Sequence, residues 1–259
     1  MSSVIITEID GSVLKITLNR PDKFNSFNRD MALQMQAALD NAATDKNIRA
    51  VYITGNGKAF CAGQDLSEAM DKSGPGIERI VREHYNPIVL KIRAIEKPVI
   101  CAVNGVAAGA GANIALACDV VIAATSVGFI QAFSKIGLVP DNGGTFFLPR
   151  IIGFGKASAL MMLGDKVSAT DAEKMGMIYK SVEDSQLHTE AMTVAKTLAD
   201  LPTKALGFTK RMLNQSMNNS LEQQLECEAE LQVQAASTYD YNEGVSAFLG
   251  KRKPIFKGE

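Results

Sequence analysis

At 259 residues the chain can form one large domain, or a core with a C-terminal appendage. Hydrophobic residues make up 46% and charged residues 21%, with a formal net charge of −1, which argues against a nucleic-acid or membrane-surface protein. No apolar run approaches the roughly 20 residues of a membrane helix, MSSVIITEIDG has no secretion-signal pattern, and the four cysteines lack metal-ligand spacing, so a cytoplasmic, metal-free protein with reduced core thiols is expected.

Val4 to Ile6 and Val13 to Leu18 are β-rich runs joined by Asp10-Gly11-Ser12, the pattern of a hairpin. Asn28 reads as the cap of a helix from about Arg29 to Ala43, with Met31, Leu33, Met35, Ala38 and Leu39 on its apolar face. Ala50 to Thr54 is the next strand, and Lys58 to Ala62 leads into Gly63-Gln64-Asp65-Leu66. Glu68 to Gly76 reads as a mobile flap over a site or, equally well, as a plain surface loop, followed by a helical pattern through Ile77, Ile80, Val81, Ile88, Val89 and Ile92. His84 and Tyr85 fall in that pattern, where a satisfied position on a helix face is the simpler reading than an acyl-pocket lining.

Val99 to Val103 is a buried strand, Gly105 to Gly111 a glycine-alanine turn, and Ala112 to Ala117 a short buried helix. Gly109 and Gly111 remove side chains where something approaches the backbone, and a helix start there leaves N–H groups without intrahelical partners. About thirty residues on, Asp141 is a single acid between Pro140 and Asn142-Gly143-Gly144. Donors beside one lone carboxylate fit proton transfer next to an activated carbonyl, although an Asp there also suits capping of the helix that follows. From Phe146 onward the text is mostly helical, with a last strand at Met177 to Val182 and helical periods over 187–201, 203–217, 221–236 and 242–249. The expected division is a core over 1–200 and a helical region over 201–259.

Asn19-Arg20-Pro21, Phe60 to Leu66, Lys97 to Gly105, Cys118-Asp119 and Gly143-Gly144-Thr145 together resemble the crotonase (enoyl-CoA hydratase/isomerase) superfamily, over essentially the whole chain. The resemblance implies an α/β fold, a spiral of ββα repeats with a C-terminal helical trimerisation region, assembled as a homotrimer or dimer of trimers. It implies acyl-CoA thioester substrates, no permanently bound cofactor, and an oxyanion hole of two backbone amides, which fall at Gln64 and Ala110. Only main-chain groups are needed for that role, so the side chains at 64 and 110 are expected to be free to vary.

Hydratases of the superfamily use two glutamates, and the matching positions here are Asn113 and Phe133, neither of which titrates usefully. Asp141 falls where some isomerases place an acid. The runs Ala62 to Leu66, Val106 to Ala112 and Gly137 to Thr145 resemble the branch of ring-1,2-epoxyphenylacetyl-CoA isomerases, which form oxepin-CoA and also shift an enoyl double bond from position 3 to 2. Phe129, Phe133, Ile136 and Leu138 would suit an aromatic acyl group or the core equally. By the same resemblance Lys23, Phe24, Ser26, Ala62, Gly63, Asp65, Leu66 and Gly109 are expected to receive CoA or substrate. Phe256 is expected to pack near the adenine, and Lys251, Arg252, Lys253 and Lys257 are candidates for the phosphates. The alternatives are a fatty enoyl-CoA isomerase or hydratase of β-oxidation, a dehalogenase (for which no His or Trp partner is evident) and a non-catalytic acyl-CoA-binding scaffold.

Overall fold

The computed structural model describes residues 3–259. Two stepped sheets form its centre. The larger has the order β1 (Ile5–Asp10), β2 (Val13–Leu18), β3 (Ala50–Gly55), β5 (Val99–Val103), β7 (Val120–Ala124) and β10 (Lys180–Val182), parallel except for the β1–β2 hairpin. The smaller has the order β4 (Ala59–Cys61), β6 (Val106–Ala108), β8 (Gly128–Ile130) and β9 (Lys166–Ser168), with only β9 antiparallel. Each turn of the chain lays one long strand in the first sheet and a short one in the second, as in β3–β4, β5–β6 and β7–β8. This is the expected spiral of ββα repeats.

Burial explains the composition of the long strands. All six residues of β3 and all five of β5 are buried, so these central parallel strands read as continuous apolar runs rather than alternating ones. Helix α1 (Arg29–Thr44) packs on one face, capped by Asn28, whose side chain accepts from the Met31 N–H. Its buried stripe is Met31, Ala32, Met35, Ala38, Leu39 and Ala42, whereas Leu33 points to solvent. The segment expected to be a flap begins inside α2 (Leu66–Ala69) and leads to α3 (Gly76–Arg79), a π-helical stretch (Ile80–Tyr85) and α4 (Asn86–Ala94), with Ile77 exposed.

Helix α5 (Ala110–Leu116) is wholly buried. Then come α6 (Gly144–Ile152), α7 (Phe154–Leu163), α8 (Ala169–Lys174) and α9 (Leu187–Asp200), which lies across the larger sheet. Helices α10 (Thr203–Ser216), α11 (Leu221–Ala236) and α12 (Tyr239–Leu249) complete the chain. Lys210 of α10 reaches Asp119, which also accepts from Arg93 and from the Val99 N–H. The last strand begins at Lys180 rather than Met177, and β6 lies inside what reads from sequence as a glycine-alanine turn. No helix among the described residues is long and apolar enough to cross a membrane.

Candidate active site

The C-terminal ends of β4, β6 and β8 lie side by side, and the chain leaves each of them into a loop that carries candidate groups. Parallel strand ends of this kind are where α/β proteins gather their ligands. Ala62 to Asp65 leaves β4. Its backbone is fixed by Phe27, which donates to the Gly63 carbonyl at 2.7 Å and accepts from the Asp65 N–H at 2.8 Å. Gly109 leaves β6 at φ +51° and donates to the Ile130 carbonyl of β8 at 2.8 Å. Gly63, at φ +99°, brings the two loops together, since a Cβ there would meet the Ala108 carbonyl at 3.1 Å and lie 3.6 Å from the Ala110 nitrogen. Neither the Gln64 N–H nor the Ala110 N–H has an acceptor among the described residues. Ala110 is the first residue of α5, where an unpaired N–H is intrinsic to the helix start.

Asp141 comes from the third loop. Asn113, within α5 and fully buried, donates from Nδ2 to the Asp141 carbonyl at 2.9 Å and accepts from Gln131 Nε2 at 2.7 Å. The residue at the first glutamate position is therefore a strut that holds the Asp141 main chain. Gly144 allows this approach, because a Cβ there would run into the Asn113 carboxamide. Phe133, at the second glutamate position, is buried with its ring tip facing Gly109.

The Asp141 carboxylate is not a helix cap. Helix α6 begins after Gly143 with no side-chain cap, and it is the Asp141 carbonyl that takes the Gly144 N–H. The carboxylate accepts from Asn142 Nδ2 at 2.7 Å. Burial pushes its pKa above the ordinary carboxylate value, with the Asn142 hydrogen bond opposing. Asp65 behaves in the opposite way: burial would raise it, but Arg20, at 2.8 Å, and the Ser67 N–H bring it below its ordinary value.

Phe24, Ser26 and Ala62 are also brought together, the Phe24 carbonyl accepting from the Ala62 N–H at 3.0 Å while its ring stands exposed. Lys23 ends the adjacent turn and Leu66 lies exposed beyond Asp65. Phe256 is not brought to this group within the chain. It packs against Gly244 of α12, and its carbonyl accepts from Arg49, at the opposite end of β3. Of the tail bases, Arg252 is paired with Glu243 and Lys257 lies over the Tyr239 ring. Phe129 is core, whereas Ile136 and Leu138 are exposed. Sequence reasoning undervalued Tyr85, which is buried and donates its hydroxyl to Gln64 Oε1 at 2.8 Å. The π-helical turn that places it has no periodicity signal of its own.

Two open backbone donors beside a desolvated carboxylate, at the strand ends of a ββα spiral, define an acyl-transfer or enolate-forming site. The chain belongs to the enoyl-CoA hydratase/isomerase family, whose model matches residues 8–259. Among curated relatives it is similar to the 1,2-epoxyphenylacetyl-CoA isomerase of Escherichia coli K12, 46% identical over 262 residues with all of both chains covered. The trans-2-decenoyl-[acyl-carrier-protein] isomerase of Streptococcus mutans is 36% identical, covering 98% of each chain. The crystal structure of an enoyl-CoA hydratase from Polaromonas sp. JS666 superposes with a TM-score of 0.92 at 36% identity, covering 97% of this chain and 99% of that one. The protein is thus an acyl-CoA isomerase/hydratase of this family.

Proposed function

We propose that the protein is an isomerase rather than a hydratase, turning 1,2-epoxyphenylacetyl-CoA into oxepin-CoA and also shifting 3-enoyl-CoA to 2-enoyl-CoA. The observation that carries this reading is the half-buried carboxylate of Asp141, free of any cation partner among the described residues and with its pKa raised by burial, with an amide at 113 and a phenyl ring at 133. Syn-hydration needs a group to activate water and another to return a proton, and those two positions supply neither. Moving one proton between two carbons needs a single carboxylate. Asp141 takes the proton from C2 of the 3-enoyl thioester. The electron pair of that C–H bond passes into the thioester carbonyl, and the enolate oxygen receives the Gln64 and Ala110 N–H groups. Collapse of the enolate takes the proton back from Asp141 at C4, leaving the double bond between C2 and C3. Each such donor is worth about 3 kcal/mol of barrier. The names of the two isomerase relatives are consistent with this chemistry.

The exposed Phe24 ring, Lys23 and the 62–66 loop are proposed to receive the CoA portion, and the working form is proposed to be a cytoplasmic homotrimer or dimer of trimers. The deciding experiment is a paired assay on the purified protein: conversion of 3-enoyl-CoA to 2-enoyl-CoA, and hydration of crotonyl-CoA. Isomerisation without hydration is expected, with the ring epoxide as the next substrate. Hydration at a comparable rate would mean that Asp141 activates water unaided, and the isomerase reading would be withdrawn.

A further inference from the structure

A residue needed only for its main chain has no use for a fastened side chain, yet the Gln64 carboxamide is held at both ends. Its Nε2 donates to Glu68 Oε2 at 3.0 Å and its Oε1 accepts from the Tyr85 hydroxyl at 2.8 Å. Glu68 lies in α2, and its other oxygen accepts from the Arg29 N–H at the start of α1. Tyr85 is 1% exposed and closes the π-helical segment Ile80–Tyr85. Such a turn shifts the side chains beyond it relative to an α-helix, and it recurs at functional sites. The Tyr85 ring meets Phe27 edge to face at 5.9 Å between centroids, and Phe27 is the residue whose backbone brackets Gln64. Main chain and side chain of Gln64 are thus clamped from the same side, while its N–H is left for a ligand.

We infer that Tyr85 is a positioning residue for the reaction: through the Gln64 carboxamide it fixes the direction of the Gln64 N–H toward the thioester oxygen. A carboxylate such as that of Glu68 only accepts, so the carboxamide turns its NH2 group to Glu68 and its oxygen to the Tyr85 hydroxyl, which makes the whole chain of hydrogen bonds directional. Without the hydroxyl, Gln64 Oε1 loses its donor and the carboxamide is free to turn. The inference rests on the proposed function only for what the N–H receives. It also corrects the expectation that the side chain at 64 is free to vary.

The test is a double-mutant cycle of Tyr85→Phe and Gln64→Met, with thermal unfolding of each variant. Each single change is expected to lower kcat by about tenfold or more with KM altered less than about threefold, as a donor moved by a fraction of an ångström would. The combined variant should be within about twofold of the worse single one, because both remove the same link. Losses that multiply, or a Gln64→Met protein with wild-type kcat, would overturn the inference. If Tyr85→Phe does not fold, Gln64→Met decides alone: lost kcat with unchanged melting temperature supports the link, and full kcat removes it. The cycle is read on whichever reaction the wild type catalyses. Hydration without isomerisation would therefore discard the isomerase reading while still deciding Tyr85, and a wild type that turns over neither substrate would discard both.

Discussion

Asp141 is held in place by its backbone and left chemically free at its carboxylate. Asn113 and Gly144 take the carbonyl, and the side chain keeps one neutral partner, Asn142. A carboxylate arranged in this way does not lose its basicity to a cation, and burial raises it further. Replacing it by Asn should lower isomerisation at least about a hundredfold with the acyl-CoA still bound, measured as kcat against KM. Because the folded-state pKa lies above the ordinary value, the ionised carboxylate costs stability at neutral pH, and that cost disappears as pH falls to the ordinary carboxylate range. Asp141→Asn should therefore melt at a higher temperature than the wild type at pH 7, with the difference shrinking in acid. The same shift fixes the pH profile. In its proposed role as base Asp141 must be ionised, so kcat/KM should fall on the acid side at a pH above that of an ordinary aspartate. A profile flat down to pH 4 would show that another group moves the proton.

At the scale of elements, the close approach of β4 to α5 is what brings the Gln64 and Ala110 loops together. Gly111 sits where a Cβ would collide with the Cys61 carbonyl and side chain, all of them buried. Gly111→Ala must push α5 away from β4, so it should lower the melting temperature and remove most activity together, with a loss of about 1–3 kcal/mol from overpacking. An alanine variant with wild-type melting and rate would show that the spacing of these loops is not set there. The long elements were legible because their signals are strong: β3 and β5 as apolar runs, α1 as a capped helix with period 3.6, α11 to the residue. Strands β6, β8 and β9 were not. Each has three residues, too few to show periodicity; β6 and β8 exist because the longer strand before each, β5 or β7, delivers the chain to the second sheet, and β9 because the chain returns after α7 to pair antiparallel with β8. The candidate site was legible in its residues and not in its supports. Gly63, Gly109 and Asp141 stand out as types, whereas Asn113 as a strut and Tyr85 as a clamp become visible only when α5 and the π-helical turn are folded beside them.

Across the molecule, the C-terminal helices join the core through charge. Lys210 is 6% exposed and meets Asp119 at 2.7 Å, and burial lowers its pKa while Asp119 raises it. Asp119→Ala would leave Lys210 without its carboxylate partner and Arg93 without its ion pair, and should cost about 3 kcal/mol, read by urea unfolding. Helices α11 and α12, by contrast, turn apolar side chains outward. Tyr241, Val245 and Phe248 follow one another along one side of α12, Phe248 84% exposed. A second apolar patch lies elsewhere, at Val139 on the loop before α6 and at Phe154 and Met162 on α7. Two different patches suit head-to-tail contact, which closes into a ring, better than a two-fold pairing of one patch with itself. Val139 is two residues from Asp141, so such a contact would also cover the loop that carries Asp141. Phe248→Asp should then convert a trimer, or a multiple of three, into monomers by light scattering, and should lower activity at the same time. A wild type that is monomeric at micromolar concentration would remove the assembly from the account. Monomers of Phe248→Asp with full activity would show that the catalytic loop stands without it.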